Sequence, residues 1–244
     1  MLDSANSSSI VTFTCFRYES WSDKLWAMSQ MQRALPTLQK ATGIRFFRML
    51  GTGRRFHYYP NFSVYGLLAV WEDNHHARQF FQSHPLAQSF ASRSSEQWTL
   101  YLKNYQTHGY WSGEQPFTPT EANPSPEQPI AVLTRATINL TRLRPFWRQA
   151  LRINRQFAEH TDCWLSLGIG EWPVVQQATF SLWKNADSMK QFAYGSELHK
   201  QAVRRTRQRD WFTEDLFARF IPVDSEGSWG ERDPLKDNLV RVAG

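Results

Sequence analysis

Cysteine is scarce: Cys15 and Cys163 are the only two, and neither belongs to a C-x-x-C or Cys/His pattern. That excludes a disulfide framework and a thiolate metal cluster, and it fits a reducing, cytoplasmic setting. Long hydrophobic runs are also missing. The longest, residues 64–71, is interrupted by Gly66 and falls far short of the ~20 residues that span a bilayer, so any membrane association is expected to be peripheral. The opening residues, MLDSANSSSI, lack a basic stretch followed by an apolar one, so no signal peptide is expected and residues 1–9 read as a disordered tail. No G-x-G-x-x-G turn is present to hold a dinucleotide. The net charge is +6, but the basic residues are spread along the chain; their clearest cluster, Arg204 to Arg209, reads as a solvated helix face, and no nucleic-acid partner is expected.

Aromatic residues, by contrast, are abundant. Seventeen Phe, eleven Trp and eight Tyr make 15% of the chain, more than core filling requires, and aromatic walls suit flat or conjugated ligands. Hydrophobic periodicity predicts a strand over 10–18, a helix over 22–40 with Trp21, Leu25, Met28 and Leu35 as one stripe widened by Ala27, Met31, Ala34 and Leu38, and strands over 44–50 and 62–71. Pro36 should kink or end the first helix early, and Gly51-Thr52-Gly53 should stop the second strand. The strand over 62–71 is apolar on both faces and so should be covered on both. A helical stretch over 73–93, broken near His84-Pro85, and a strand over 97–110 follow. This β-α-β-β-α-β order is ferredoxin-like.

The order then repeats after a proline-rich linker, 112–128: strand 129–137, helix 142–160, strands 162–169 and 174–183, helix 187–209 and strand 213–222. The letters repeat too. FFRMLGTG (46–53) answers CWLSLGIG (163–170), WSGEQPF (111–117) answers WGERDPL (229–235), Trp71 answers Trp183, and Arg17 answers Arg135 as the end of a first strand. The expected fold is α+β: two ferredoxin-like units, 10–111 and 129–222, with a C-terminal tail over 223–244. Their sheets pair face to face or edge to edge as a closed barrel, in the manner of dimeric α/β-barrel proteins.

Within the helix over 187–209, Met189, Phe192, Ser196, His199, Val203 and Thr206 share one face, which places His199 among apolar neighbours. Such an imidazole is either a satisfied core histidine or a metal ligand. When the halves are aligned on Trp71 and Trp183, His199 falls opposite Ala87. A structural role would more naturally recur in both halves, so the missing counterpart favours a functional role. Among the remaining histidines, His75 and His76 are adjacent and diverge on a helix, His84 precedes a proline, and His108 lies among polar residues at a strand end, so all four read as structural or exposed. Arg17 and Arg135 either meet an acidic ligand group or sit at polar strand ends, the reading we favour. Of Gln176 and Gln177, alternation sends only one towards any pocket on a given face.

The ordered set TFTCFRYESWSDKLWAMSQM, FFRMLGTG, VYGLLAVW, WSGEQPF, PIAVLTRATI, VQQATFSLW, HKQAVRRTRQRDWFTEDLFARF and WGERDPL resembles the spheroidene monooxygenase family over residues 11–235. The resemblance implies an enzyme that uses O2 and haem b to oxidise C-2 of an acyclic carotenoid to a hydroxyl or ketone; the source of electrons, a donor protein or another, is left open by the sequence. In its double ferredoxin-like plan the chain is also similar to the chlorite dismutase and aldoxime dehydratase group, where one half of the duplicated unit holds haem through a histidine. Side chains alone do not activate O2, and a two-histidine, one-carboxylate iron site needs three convergent ligands. Haem needs one protein ligand, and His199, with basic neighbours for the propionates, meets that need. A haem- or polyene-binding protein without turnover and a cofactor-independent ferredoxin-like monooxygenase are the alternatives.

Overall fold

In the computed structural model, residues 9–53, 59–143, 147, 160–172, 175–195 and 211–243 are described. Eight strands, all paired antiparallel, close into one barrel in the order β1-β3-β2-β6-β7-β5-β8-β4. Strands β1 (Ile10–Arg17), β2 (Ile44–Gly53), β3 (Pro60–Trp71) and β4 (Glu96–Gly109) come from the first half. Strands β5 (Ile130–Ile138), β6 (Cys163–Gly170), β7 (Gln176–Trp183) and β8 (Phe212–Gly227) come from the second. Helices lie outside: α1 (Trp21–Arg33), α2 (Leu35–Gln39), α3 (Asn74–Ser83) and α4 (Pro85–Arg93) in the first half, α5 (Ala186–Gly195) in the second, and α6 (Lys236–Ala243) at the end.

Alternation along each strand sends one set of side chains into the barrel and the other set out. An eight-stranded barrel leaves an interior that side chains can fill, and here they do. Phe13, Leu68, Leu100, Leu133, Phe180 and Phe220 all have no measurable exposure, and the rings of Phe13 and Phe180 stack with centroids 3.8 Å apart. A ligand site therefore has to lie outside the barrel wall. As expected, β3 is covered on both faces, with Leu68 and Val70 inside and Leu67, Ala69 and Trp71 beneath the helices.

Local chemistry explains the helix boundaries. Ser20 caps α1 by accepting from Asp23 N, and Asp73 caps α3 by accepting from His76 N. At the break between α3 and α4, His84 Nδ1 accepts from Leu86 N with Pro85 in the first turn. His76 bonds to Asp73, while His75 and His108 are exposed. Pro36 opens α2.

Three features differ from the sequence expectations. The buried face of α1 and α2 is Ala27, Gln30, Ala34 and Leu38, whereas Trp21, Leu25 and Met28 are 72%, 56% and 45% exposed. The narrow stripe of small residues permits close approach to the sheet, and the bulkier stripe faces out. Strand β2 runs through Gly51-Thr52-Gly53, because that segment pairs with both β3 and β6. Within residues 112–128, which are mostly exposed, Phe117 enters the barrel core, its ring 5.1 Å from that of Phe220. Strand β8 continues to Gly227 and is followed by α6. Most of the helix expected over 142–160, and the part of the 187–209 helix beyond Gly195, lie outside the described residues.

The ladder between β4 and β8 is symmetrical about Lys103 and Ile221: Trp98 pairs with Gly227 as Leu216 pairs with Gly109, and Leu102 with Pro222 as Phe220 with Asn104. A matching turn follows each strand. Gly109 and Gly227 have φ of +89° and +86°, and a Cβ on either would collide with a carbonyl of the facing strand, that of Asp215 or Gln97. Glu214 then accepts from the N–H groups of Ser112 and Gly113, and Glu96 from that of Glu231. The repeated Trp-x-x-x letters thus encode a latch in which the turn after one half's last strand grips a glutamate of the other half.

The first strands obey a different register. Ile10 pairs with Trp71 as Ile130 pairs with Trp183, so Cys15 occupies the place equivalent to Arg135. Arg17 sits at the strand end with a side chain 38% exposed, 2.5 Å from Glu96. Arg135 lies two residues deeper, 2% exposed and paired with Glu214. The expectation of a polar strand end holds for Arg17 and fails for Arg135.

Candidate cofactor face

Superposing the two halves by their strand register exposes an asymmetry on the outer wall. In the first half, Phe16, Phe47, Met49, Tyr65 and Leu67 point out towards α1 to α4 and belong to the apolar cluster beneath them. The rings of Phe16 and Phe90 are 5.0 Å apart and those of Tyr18 and Tyr65 are 6.0 Å apart. Phe16 pairs with Tyr65 as Ala136 pairs with Gln177, Met49 with Leu67 as Gly168 with Thr179, and Phe47 with Ala69 as Ser166 with Ser181. Every one of those five bulky groups is therefore replaced in the second half by Ala136, Ser166, Gly168, Gln177 or Thr179.

The replacement leaves the second wall lined by small and polar side chains. Thr14, on central strand β1, is completely buried, yet its equivalent Thr134 on β5 is exposed. Among the described residues, Ser166 Oγ and Arg219 Nε are buried and have no hydrogen-bond partner. Buried polar atoms without partners are costly, which points to a partner that is neither sheet nor described helix. Arg219 is otherwise held by a 3.1 Å bond from Nη1 to Gln106 Oε1 and by packing over the Phe217 ring.

An aromatic corner borders this wall. Met189 and Phe192 of α5 are buried against Ile130, Val132 and Trp183, and the His160 ring lies 5.5 Å from Trp183 and 5.8 Å from Phe192. His160 Nδ1 is buried without a partner among the described residues. The expected inward face of the 187–209 helix is therefore correct at Met189 and Phe192. Ser196, His199, Val203 and Thr206 lie outside the described residues. Alternation also separates the two glutamines: Ala178, Phe180 and Leu182 fill the barrel, so Gln176 shares their side and Gln177 faces out.

The inner edge of the same region is charged but internally neutralised. Glu171 Oε2 accepts from Trp111 Nε1 at 2.7 Å, its Oε1 lies 3.0 Å from Arg48 Nε, and Arg135 Nη2 is 3.8 Å away. Burial opposes ionisation of Glu214, but the N–H groups of Gly113 and Ser112 and the Arg135 guanidinium outweigh it and hold the carboxyl below its usual range. Glu96 behaves alike: burial is outweighed by the Glu231 N–H and Arg17. Both thiols are pushed up by burial, Cys163 to about 12, which disfavours the thiolate form. No group of three His, Cys, Asp or Glu residues that could hold a metal ion occurs among the described residues.

Gln177 was singled out in the sequence, whereas Glu171 and the outer-wall residues Ala136, Ser166 and Thr179 were not. A repeat alignment carried out strand by strand would have revealed them as small or polar residues standing where the first half has bulky ones.

No family model matches the chain. Three curated proteins do, each named spheroidene monooxygenase. That of Rhodobacter capsulatus is 33% identical over 234 residues, spanning 95% of this chain and 97% of that protein. The Cereibacter sphaeroides protein is 34% identical, spanning 94% and 72%, and the Rubrivivax gelatinosus protein is 30% identical, spanning 86% and 80%. Among solved structures, aldoxime dehydratase superposes with a TM-score of 0.60 at 9% identity, over 92% of this chain and 84% of that one, a likeness of fold.

Proposed function

The chain belongs to the spheroidene monooxygenase family, which makes it an oxidoreductase, and from that premise we propose that it inserts oxygen from O2 at C-2 of an acyclic carotenoid such as spheroidene. Hydroxylation comes first and oxidation to the ketone follows, with haem b as cofactor and an electron-donor protein as partner. The observation that carries the haem reading is the outer wall of β5 to β8, where five bulky residues of the first half give way to Ala136, Ser166, Gly168, Gln177 and Thr179. We also read the halves as duplicated ferredoxin-like units, supported by the matching orders β4-β1-β3-β2 and β8-β5-β7-β6.

A planar macrocycle suits a wall of small side chains bordered by aromatic rings. Haem, when bound, would supply the O2 activation that side chains lack. His199, seven residues beyond the inward-facing Phe192, would share its face on a continuing helix and bind the iron as the proximal ligand. Arg219 would offer its unpartnered Nε to an acidic group of the cofactor, and Gln177, facing out of the sheet, a side-chain N–H for hydrogen bonding. The apolar corner of Trp183, Met189 and Phe192 would exclude water.

A water-insoluble substrate has to be drawn from a membrane, and no helix among the described residues is long and apolar enough to cross one. The exposed Trp21 and Leu25 of α1 form an apolar patch with Lys24 beside the Trp21 ring, and peripheral association would use this face. The deciding experiment is the absorption spectrum of the purified protein with and without His199→Ala, together with analysis of carotenoid products. A Soret band near one haem per chain that is lost or weakened in the variant, with loss of product, is expected. A His199→Ala protein with an unchanged spectrum and turnover would refute the ligand assignment. Product formation without haem would favour the cofactor-independent alternative, and haem without product the binding protein.

A further inference from the structure

A groove of about 880 Å³ runs along the outside of the first half, between α1–α2 and β2, and crosses onto the second half at β6 and β7. We infer that it is the channel that holds the polyene chain of the substrate and delivers one end of it to the cofactor face; this rests on the proposed function and assigns the substrate's place within it. The volume lies towards the upper end of the ~300–1,000 Å³ range of small-molecule sites, which suits a large ligand. Met28, Met31, Met49, Phe47, Phe62 and Trp172 supply apolar wall. Three of the chain's five methionines are thus gathered in one groove. Methionine is polarizable and adaptable, and it packs well on a flat conjugated chain.

The charged residues lining the groove each lie near an opposite charge. Arg48 lies 3.3 Å from Glu114 and 3.0 Å from Glu171, and Arg45 lies 4.0 Å from Glu72. Such a lining suits an uncharged hydrocarbon better than an anion. The groove also has the right destination, because Gln177 belongs both to its lining and to the outer wall of the second half. A substrate oxidised near one end needs its remaining length held elsewhere, and the groove provides that length.

The crossing point is the seam between β2 and β6. These strands meet through only two residue pairs, Gly51 with Gly170 and Thr52 with Ile169, against eleven pairs between β4 and β8. Gly170 is required by the backbone, since a Cβ there would collide with the Gln176 carbonyl. Gly51 is not: its φ lies outside the left-handed region, and the nearest atom to an added Cβ is the Gly170 carbonyl oxygen at 3.8 Å, an ordinary contact. The backbone therefore accepts a side chain at Gly51, and its absence keeps the passage between the two halves clear.

The test uses the full-length, haem-loaded protein with an acyclic carotenoid in detergent micelles, and compares Gly51→Leu, Gly51→Ala and Met28→Lys with the unaltered chain. Gly51→Leu is expected to weaken carotenoid binding and raise KM at least about tenfold, with the haem spectrum unchanged, while Gly51→Ala stays near the unaltered values. Met28→Lys, on the exposed rim, should raise KM in the same sense and decides the matter should Gly51→Leu fail to fold. Unchanged binding and KM in Gly51→Leu and Met28→Lys would overturn the channel and leave the proposed function standing. Loss of turnover with unchanged carotenoid binding would also overturn it. No binding or turnover by the unaltered protein would remove the proposed function, and the channel with it.

Discussion

Grafting first-half residues onto the second wall tests whether that wall is an open cofactor face or an ordinary packed one. Ser166→Phe combined with Thr179→Leu restores the groups found at Phe47 and Leu67, the latter with no exposure beneath its helices. If the space above β6 and β7 is open in the haem-free protein, each new side chain buries apolar surface worth ~1.5–3 kcal/mol when burial is complete. In a chain of this length 1 kcal/mol moves the melting temperature by roughly 2–4 °C, so a rise on the order of 5 °C or more is expected. If instead the wall is already filled, overpacking costs ~1–3 kcal/mol per site and the melting temperature falls. The sign of the shift discriminates between the two. Thermal unfolding of haem-free protein gives that sign, and titration with haem gives the second readout, where affinity is expected to fall at least about tenfold, ~1.4 kcal/mol. A double variant that melts lower and binds haem like the unaltered protein would refute the cofactor face.

The two latches should differ in strength. Arg135→Met removes a buried guanidinium from part-exposed Glu214, which keeps its bonds from the Ser112 and Gly113 N–H groups, and is expected to cost ~1.5–3 kcal/mol, whereas Arg17→Met removes a partly exposed partner and should cost ~0–1 kcal/mol; urea denaturation of the two variants makes the comparison. Acid should loosen both. Because Glu96 and Glu214 are held below their usual carboxyl range when folded, their contribution is complete above the unfolded carboxylate pKa of ~4.3 and is lost as pH falls through the lower folded values. Unfolding midpoints measured from about pH 6 down to about pH 3 should fall most steeply below ~4, and less so in Glu214→Gln, whose neutral side chain no longer titrates.

The sequence by itself determined the local elements. Alternation and three- or four-residue periodicity are properties of short stretches, so the strands, the break at His84-Pro85 and the inward face of Met189 and Phe192 were legible before any contact was known. The matching Trp turns were legible for the same reason. What the letters did not convey was register. Arg17 and Arg135 align as characters, yet the ladders place Arg135 two residues deeper, because register is set by pairing between strands far apart in sequence. The burial of α1 followed the same logic: both of its stripes satisfy helical spacing, and only the sheet beneath, which admits Ala27 and Ala34 but not Trp21, chose between them. Likewise, Ala136, Ser166, Gly168 and Thr179 are spread over three strands, and nothing in the letters joins them to one another or to Gln177. Closing the barrel brought them onto one face, and the packed interior around Phe13 and Phe180 put any ligand outside the wall.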